Sequence, residues 1–123
     1  MSEIDYRVKI AQADVESMKS SGGATMPAYI LAIIEAHDEA AFEAYRRQAL
    51  PMVAAYGGRS LLNGTQYERL EGTWAPKRVV VIEFPSMAKA RAFYGSAEYA
   101  GPMALRRLAA STELLLFDGR GEA

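Results

Sequence analysis

The chain has 123 residues, 50% hydrophobic and 24% charged, which is the size and composition of one globular domain. Its net charge of −1 gives no electrostatic reason to expect binding to nucleic acid or to an anionic membrane. Cysteine is absent, which excludes disulfides, thiol catalysis and cysteine metal sites, and because the N-terminal region lacks a signal-like or membrane-spanning apolar segment we expect a cytoplasmic protein.

The first 25 residues are expected to form an arm that is separate from the main domain. Residues 3–10 alternate apolar and charged side chains, which predicts a strand with one wet face. Ser20 to Gly23 (SSGG) reads as a linker. The arm, residues 1–25, either docks on a sheet edge of its own or a neighbouring subunit or is an incidental extension. The domain itself is expected over 26–119, with a tail at 120–123.

The domain opens with a strand and a helix. Residues 28–36 (AYILAIIEA) predict a strand that is largely apolar on both faces. Asp38 is a good helix N-cap, and apolar residues recur at helical spacing from Glu39 to Tyr56. The glycines Gly57 and Gly58 are then expected to end this helix, because glycine adopts the left-handed C-cap conformation at little cost.

A hairpin is expected next. Asn63-Gly64 lies between two extended runs, residues 59–62 and 66–70, and Asn-Gly is typical of a two-residue turn because both turn positions need positive φ. Residues 78–84 (RVVVIEF) form the clearest strand of the chain, since they are continuous and rich in β-branched side chains.

Two helical segments and a strand complete the domain. Ser86 is expected to cap a helix that runs to Gly95, and Ser96 a second one that reaches about Ala110 with a break at Gly101-Pro102. Residues 112–118 (TELLLFD) predict the last strand. The order of strand, helix, three strands, two helices and strand is an α+β pattern of the split βαβ kind.

The strands at 28–34, 79–84 and 114–117 are apolar on both faces, whereas a sheet with one wet face alternates apolar and polar residues. Two or three helices cover only one face, and soluble monomers rarely expose an apolar patch above about 300–600 Å². Burying about 600 Å² at about 25 cal/mol per Å² gives a gross driving force of about 15 kcal/mol. We therefore expect a two-fold homodimer that packs sheet against sheet.

Several strings of the domain resemble a known family in combination. They are Tyr56-Gly57-Gly58-Arg59, Leu70-Glu71-Gly72 with Trp74, residues 78–86 (RVVVIEFPS) and Ser96-Ala97-Glu98-Tyr99. From about Met26 to Gly119 the chain resembles the uncharacterised bacterial family called domain of unknown function 1330. The resemblance implies a ferredoxin-like fold, with an antiparallel sheet and helices on one face, that pairs as a dimeric α/β barrel. The same superfamily contains cofactor-free monooxygenases, haem-degrading enzymes and non-catalytic regulators, so the fold does not select a function.

Two residue types raise the question of acid–base chemistry. His37 is the only histidine, so it cannot form the usual multi-ligand metal site alone, and it is either an exposed loop residue or a general base beside the first strand. Glu83 lies in the most apolar strand, and a buried carboxylate needs a partner such as Arg59, Arg78 or Arg106. Glu83 is therefore either half of a structural ion pair or a base or substrate anchor in a cleft.

The remaining candidates are tyrosines and arginines on predicted helices. Tyrosine rings that face a sheet fill the core, while their hydroxyls can line a small pocket. The pairs Arg46-Arg47 and Arg106-Arg107 are either solvated helix faces or an anion site. No motif for a metal or a cofactor is present, and we expect neither. The candidate ligand-binding residues are Tyr45, Arg59, Glu83, Tyr94, Tyr99, Arg106 and His37.

Three functions remain open on the sequence alone. The first is a small dimeric domain that binds or transforms a small, partly apolar molecule in a cleft between helices and sheet. The second is a structural or interaction module without catalysis. The third is a cofactor-independent monooxygenase, which rests on the superfamily resemblance alone. The sequence does not decide whether the protein is an enzyme.

Overall fold

The computed structural model describes residues 26–119. The predicted arm, with its strand at 3–10, and the tail at 120–123 lie outside the described residues. The elements are β1 Ala28–Ala36, α1 Glu39–Ala55, β2 Arg59–Gly64, β3 Arg78–Phe84, α2 Met87–Tyr94, α3 Ala97–Ala109 and β4 Ala110–Asp118. Within this part of the chain, every helix is too short or too polar to cross a membrane.

The strands form one antiparallel sheet in the order β2-β3-β1-β4. This is the expected ferredoxin-like arrangement, in which α1 connects β1 to β2 and the pair α2–α3 connects β3 to β4. Ala28, Ile30, Ala32 and Ile34 of β1 are buried against side chains of all three helices. The core therefore lies between one face of the sheet and the helices.

The opposite face of the sheet, here called the open face, carries none of the described helices. Strand register aligns Leu31 of β1 with Val81 of β3 and Leu115 of β4 in one apolar row. The apolar side chains of the open face are Leu31, Ile33, Leu62, Val79, Val81, Leu115 and Phe117. The expectation that the strands are apolar on both faces is thus confirmed for the described sheet.

The hairpin predicted at Asn63-Gly64 is wrong. Both residues continue β2 and pair with β3, and neither has the positive φ that the turn requires. The Asn63 side-chain oxygen instead accepts a hydrogen bond from Arg78 Nη1 at 2.6 Å. Residues 65–77 connect β2 to β3 as a loop, so the predicted strand at 66–70 is absent.

The helix ends follow the sequence signals, but a break predicted inside α3 does not occur. Asp38 caps α1, since its Oδ1 accepts a hydrogen bond from the Ala41 backbone N–H at 3.0 Å. Gly57 follows α1 with φ +82°. The break expected at Gly101-Pro102 does not occur, and α3 continues through both residues with Pro102 buried. Proline removes one hydrogen bond early in the helix, and packing of α3 against the core offsets that loss.

Candidate functional site

A cavity of about 60 Å³, here called the cleft, lies between the helices and the sheet. Most of its lining is apolar and comes from β1, β3, β4 and the three helices. The polar side chains that line it are Tyr45, Arg46, Tyr94, Tyr99, Arg106 and Thr112. Arg46, Leu50 and Tyr94 are partly exposed lining residues and mark the opening of the cleft to solvent.

Tyr45 of α1 and Tyr99 of α3 meet at the cleft. Their hydroxyl oxygens are 2.6 Å apart, and their rings are arranged edge to face at 61°. One O–H proton lies between the two oxygens, so the second O–H remains available to donate. No acceptor for this second proton exists among the described residues. The tyrosine pair therefore presents one hydroxyl donor to the cleft.

Arg106 of α3 is only 3% exposed. Its Nη1 donates to Thr112 Oγ1, and its Cζ lies 5.9 Å from the centroid of the Tyr45 ring. Nε and Nη2 are buried and make no hydrogen bond of regular geometry to a described residue, although the hydroxyls of Tyr99 and Tyr45 lie close enough to interact with the guanidinium. No carboxylate in residues 26–119 forms a salt bridge with this guanidinium. Burying a cation without a carboxylate partner costs free energy, and buried donors without a hydrogen bond are rare in native proteins.

The cleft keeps its protons and its positive charge at neutral pH. Burial, followed by the Tyr99 hydroxyl, raises the pKa of Tyr45 above its ordinary value, and the opposing effect of Arg106 is smaller. Burial alone lowers the pKa of Arg106, but the hydroxyls of Tyr99, Tyr45 and Tyr94 outweigh it and the net shift is upward. The cleft therefore offers a cation and hydroxyl donors rather than a base.

Glu83 and Arg59 lie on the open face, away from the cleft. Glu83 Oε1 accepts a hydrogen bond from Arg59 Nε at 3.2 Å, and Oε2 accepts one from the Tyr29 hydroxyl at 2.8 Å. Register places the three residues side by side on adjacent strands, and Glu83 is 6% exposed. The other predicted partners of Glu83 are on the opposite side of the sheet. Arg78 points to that side from β3, and Arg106 lines the cleft there.

His37 lies between β1 and α1 and is exposed. Its Nε2 is 3.0 Å from Ser111 Oγ, and its backbone N–H donates to the Ala109 carbonyl at 2.7 Å. It is not among the residues that line the cleft. These contacts fit a residue that fastens the β1–α1 connection to the start of β4.

The predicted site residues thus separate into groups. The cleft brings together Tyr45, Tyr94, Tyr99 and Arg106, while Arg59 and Glu83 meet on the open face and His37 stands apart. Sequence reasoning missed Thr112. The alternation of β4 places Thr112 on the same side as Leu114, and a polar side chain on a buried face needs a partner, which here is Arg106.

Comparison with known proteins supports the fold. Residues 27–120 match the family model described as domain of unknown function (DUF1330). The RPA0582 protein of unknown function from Rhodopseudomonas palustris is 19% identical, with a TM-score of 0.66 over 89% of this chain and 94% of that chain. No curated protein matches the chain.

An enzyme also appears among the similar structures. SnoaB, a cofactor-independent oxygenase from Streptomyces nogalater, is 15% identical, with a TM-score of 0.56 over 79% of this chain and 96% of that chain. A conserved protein of unknown function from Bacteroides thetaiotaomicron, described as a possible oxidoreductase, is 14% identical with a TM-score of 0.53 over 77% and 99%. The TM-scores show a shared fold, and identities this low leave the reaction open.

Proposed function

The chain belongs to the family described as domain of unknown function (DUF1330), and we propose that its cleft binds a small, partly apolar molecule. One observation carries the proposal: a charged, buried Arg106 and the Tyr45–Tyr99 hydroxyl pair converge in a cavity that is otherwise lined mainly by apolar side chains. Small-molecule sites combine a mostly apolar wall with a few convergent polar groups in this way.

A purely structural role explains the tyrosine rings but not the arginine. The rings of Tyr45 and Tyr99 pack in the core, as expected of buried aromatic side chains. A buried arginine stabilises packing when a carboxylate neutralises it, and replacing an incompletely compensated charge by an apolar residue is often stabilising. Because Arg106 has no carboxylate partner in residues 26–119, its presence there fits a ligand better than a packing role.

Binding is favoured over catalysis by the groups that line the cleft. No histidine, aspartate or glutamate is among the described lining residues, and the raised pKa of Tyr45 keeps that hydroxyl protonated. These groups stabilise negative charge on a bound oxygen but do not remove a proton. Cofactor-independent oxygenation, the activity named for SnoaB, has no supporting group in this cleft and is the lesser alternative.

The open face is proposed to pack against the same face of a second copy. One apolar row, Leu62, Val81, Leu31 and Leu115, is continuous across the four strands, and Ile33, Val79 and Phe117 extend it. A soluble monomer rarely exposes a large apolar patch. The charges of Glu83 and Arg59 neutralise each other within the face, so they do not oppose its burial. We propose that the protein is a homodimer in the cytoplasm, because a chain without cysteine is compatible with that reducing compartment.

Thermal unfolding of the full-length protein with a broad panel of small metabolites tests the ligand proposal. A compound at about 100 times its Kd adds about 2.7 kcal/mol to the free energy of unfolding. Tyr99→Phe should weaken the effect of any stabilising compound, while Tyr67→Phe, on the exposed loop at 65–77, should not. A panel without a stabiliser would contradict the proposal. Oxygen uptake with an electron-rich phenol would instead favour the oxygenase alternative.

Light scattering tests the dimer. Leu31→Glu places a charge in the middle of the open face, between Val81 and Leu115, and should convert a dimer into a monomer at micromolar concentration. Leu108→Glu is the matched control, because Leu108 on α3 is 82% exposed and the change should leave the dimer intact. A monomeric wild-type protein under the same conditions would refute the pairing.

A further inference from the structure

The two unpartnered donors of Arg106 belong to one edge of the guanidinium. In this planar group Nε–H and one Nη2–H point in the same direction, side by side, while Nη1 lies next to Cδ on the other side. Nη1 is the nitrogen that donates to Thr112 Oγ1, and Nε and Nη2 are the nitrogens that make no hydrogen bond of regular geometry to a described residue. The two donors therefore form a two-point fork and are not scattered.

A carboxylate is the chemical group that matches this fork. Its two oxygens lie in one plane and accept two parallel N–H bonds, which is the bidentate geometry seen in arginine–carboxylate pairs. One negative charge also neutralises the one positive charge of Arg106, which is buried without a counterion in residues 26–119. A neutral phenol or amide brings one acceptor oxygen and no negative charge, so it leaves the charge of Arg106 uncompensated.

A phosphate fits the cleft less well than a carboxylate. Its further oxygens and second charge need additional donors. Beside the fork, the other described donors at the cleft are the neutral hydroxyls of the Tyr45–Tyr99 pair, Tyr94 and Thr112. The other cation that lines the cleft is Arg46 at the opening, and it is already bonded to Glu43. The rest of the inner wall is apolar, with Phe42, Ile82 and Phe93 among its members.

The fork is also held in place before any ligand arrives. Thr112 fixes one end of the guanidinium, and the ring of Tyr45 lies 5.9 Å from Cζ. Donors fixed in this way lose less freedom when a ligand binds. Resting on the proposed ligand-binding function, we infer that the ligand is a monocarboxylic acid with a small apolar body, held through two hydrogen bonds from Arg106 and oriented by the tyrosine hydroxyl pair.

Pairs of acids and matched amides test this assignment on the full-length protein. Propionate and propionamide, isobutyrate and isobutyramide, and benzoate and benzamide share size and shape but differ in charge. Titration calorimetry at neutral pH and constant ionic strength should show the best-fitting acid binding about 10- to 100-fold more tightly than its amide. Arg106→Gln, which removes both the charge and the fork, should abolish that preference, and Arg107→Gln, on the exposed neighbour, should preserve it.

The outcomes separate this assignment from the ligand proposal it rests on. Amides that bind as tightly as acids overturn the carboxylate assignment but leave the cleft a small-molecule site. A panel in which neither acids nor amides bind overturns both. An acid preference that survives Arg106→Gln places the binding site elsewhere and overturns the assignment. If Arg106→Gln does not fold, a spectroscopic measurement on the wild type replaces it: the Nε–H resonance of Arg106 should shift with benzoate and stay unchanged with benzamide.

Discussion

Replacing Tyr45 by phenylalanine tests the electrostatics of the cleft without any ligand. The change removes the hydroxyl that lies 2.6 Å from that of Tyr99 and keeps the ring, which packs 5.7 Å from Phe42 between centroids. A hydrogen bond in a partly buried site contributes about 0.5–1.5 kcal/mol to the free energy of unfolding. At neutral pH the variant should therefore be less stable than the wild type by about 1 kcal/mol.

The pH dependence gives the sharper expectation. Because burial and Tyr99 raise the pKa of Tyr45, the folded protein keeps this proton above about pH 10 while the unfolded chain releases it. The unfolded state then binds fewer protons, so the free energy of unfolding falls as pH rises, by about 1.4 kcal/mol per pH unit for this one group. The contribution of the protonated Tyr45 hydroxyl to the free energy of unfolding is fully present below about pH 10 and is progressively lost above it. A phenylalanine at this position lacks this dependence.

Urea unfolding followed by circular dichroism at one fixed protein concentration measures both effects, from about pH 8 to about pH 11.5. The wild type should start more stable than Tyr45→Phe and lose that advantage within about one pH unit above pH 10, so that the two curves cross. Tyr67→Phe is the matched control, since Tyr67 is 51% exposed and its curve should stay parallel to the wild type. Parallel curves for wild type and Tyr45→Phe over the whole range would refute the raised pKa.

Three further substitutions test the packing and the open face. Gly58→Ala should destabilise the protein by about 1–3 kcal/mol, because an added Cβ would lie 2.7 Å from Phe84 Cε1, and an unchanged Tm would contradict this. Gly101→Ala, inside α3 with no atom within 4 Å of the added Cβ, should instead stabilise by about 0.5–1 kcal/mol in the same melts. Glu83→Gln should cost about 1.5–3 kcal/mol and leave ligand affinity unchanged, with Glu71→Gln, on the exposed loop at 65–77, nearly neutral. Intact stability with lost ligand binding would instead make Glu83 part of a site.

Much of the fold was predictable because its signals are local. Asp38 and Ser96 cap α1 and α3 as expected, and residues 78–84 are too rich in β-branched side chains to be anything but a strand. The failure at Asn63-Gly64 has a long-range cause. The dipeptide favours a tight turn, but pairing of β2 with β3 extends the strand through it, and tertiary pairing overrides local propensity.

The site was only partly predictable, because alternation tells which residues share a face but not which face the helices cover. Glu83 and Arg59 were candidates for a cleft and lie on the open face, because Glu83 is out of phase with Ile82 and Phe84, which face the helices. Tyr45, by contrast, lies on the buried side of α1 and so could be placed next to the sheet in advance. No sequence pattern places its hydroxyl against that of Tyr99, since the two are 54 residues apart and meet only when α1 packs on α3.

The charge balance of the two faces distinguishes a structural polar group from a binding group. On the open face Glu83 and Arg59 hold opposite charges 3.2 Å apart, so this surface can be buried by a second copy without stranding either charge. On the helix side Arg106 has the same degree of burial but no carboxylate within the described domain. Glu83 is conspicuous in the sequence because it interrupts an apolar strand, yet its charge is already compensated. Arg106 is inconspicuous beside Arg107, yet its buried positive charge is the one that the proposed ligand would neutralise.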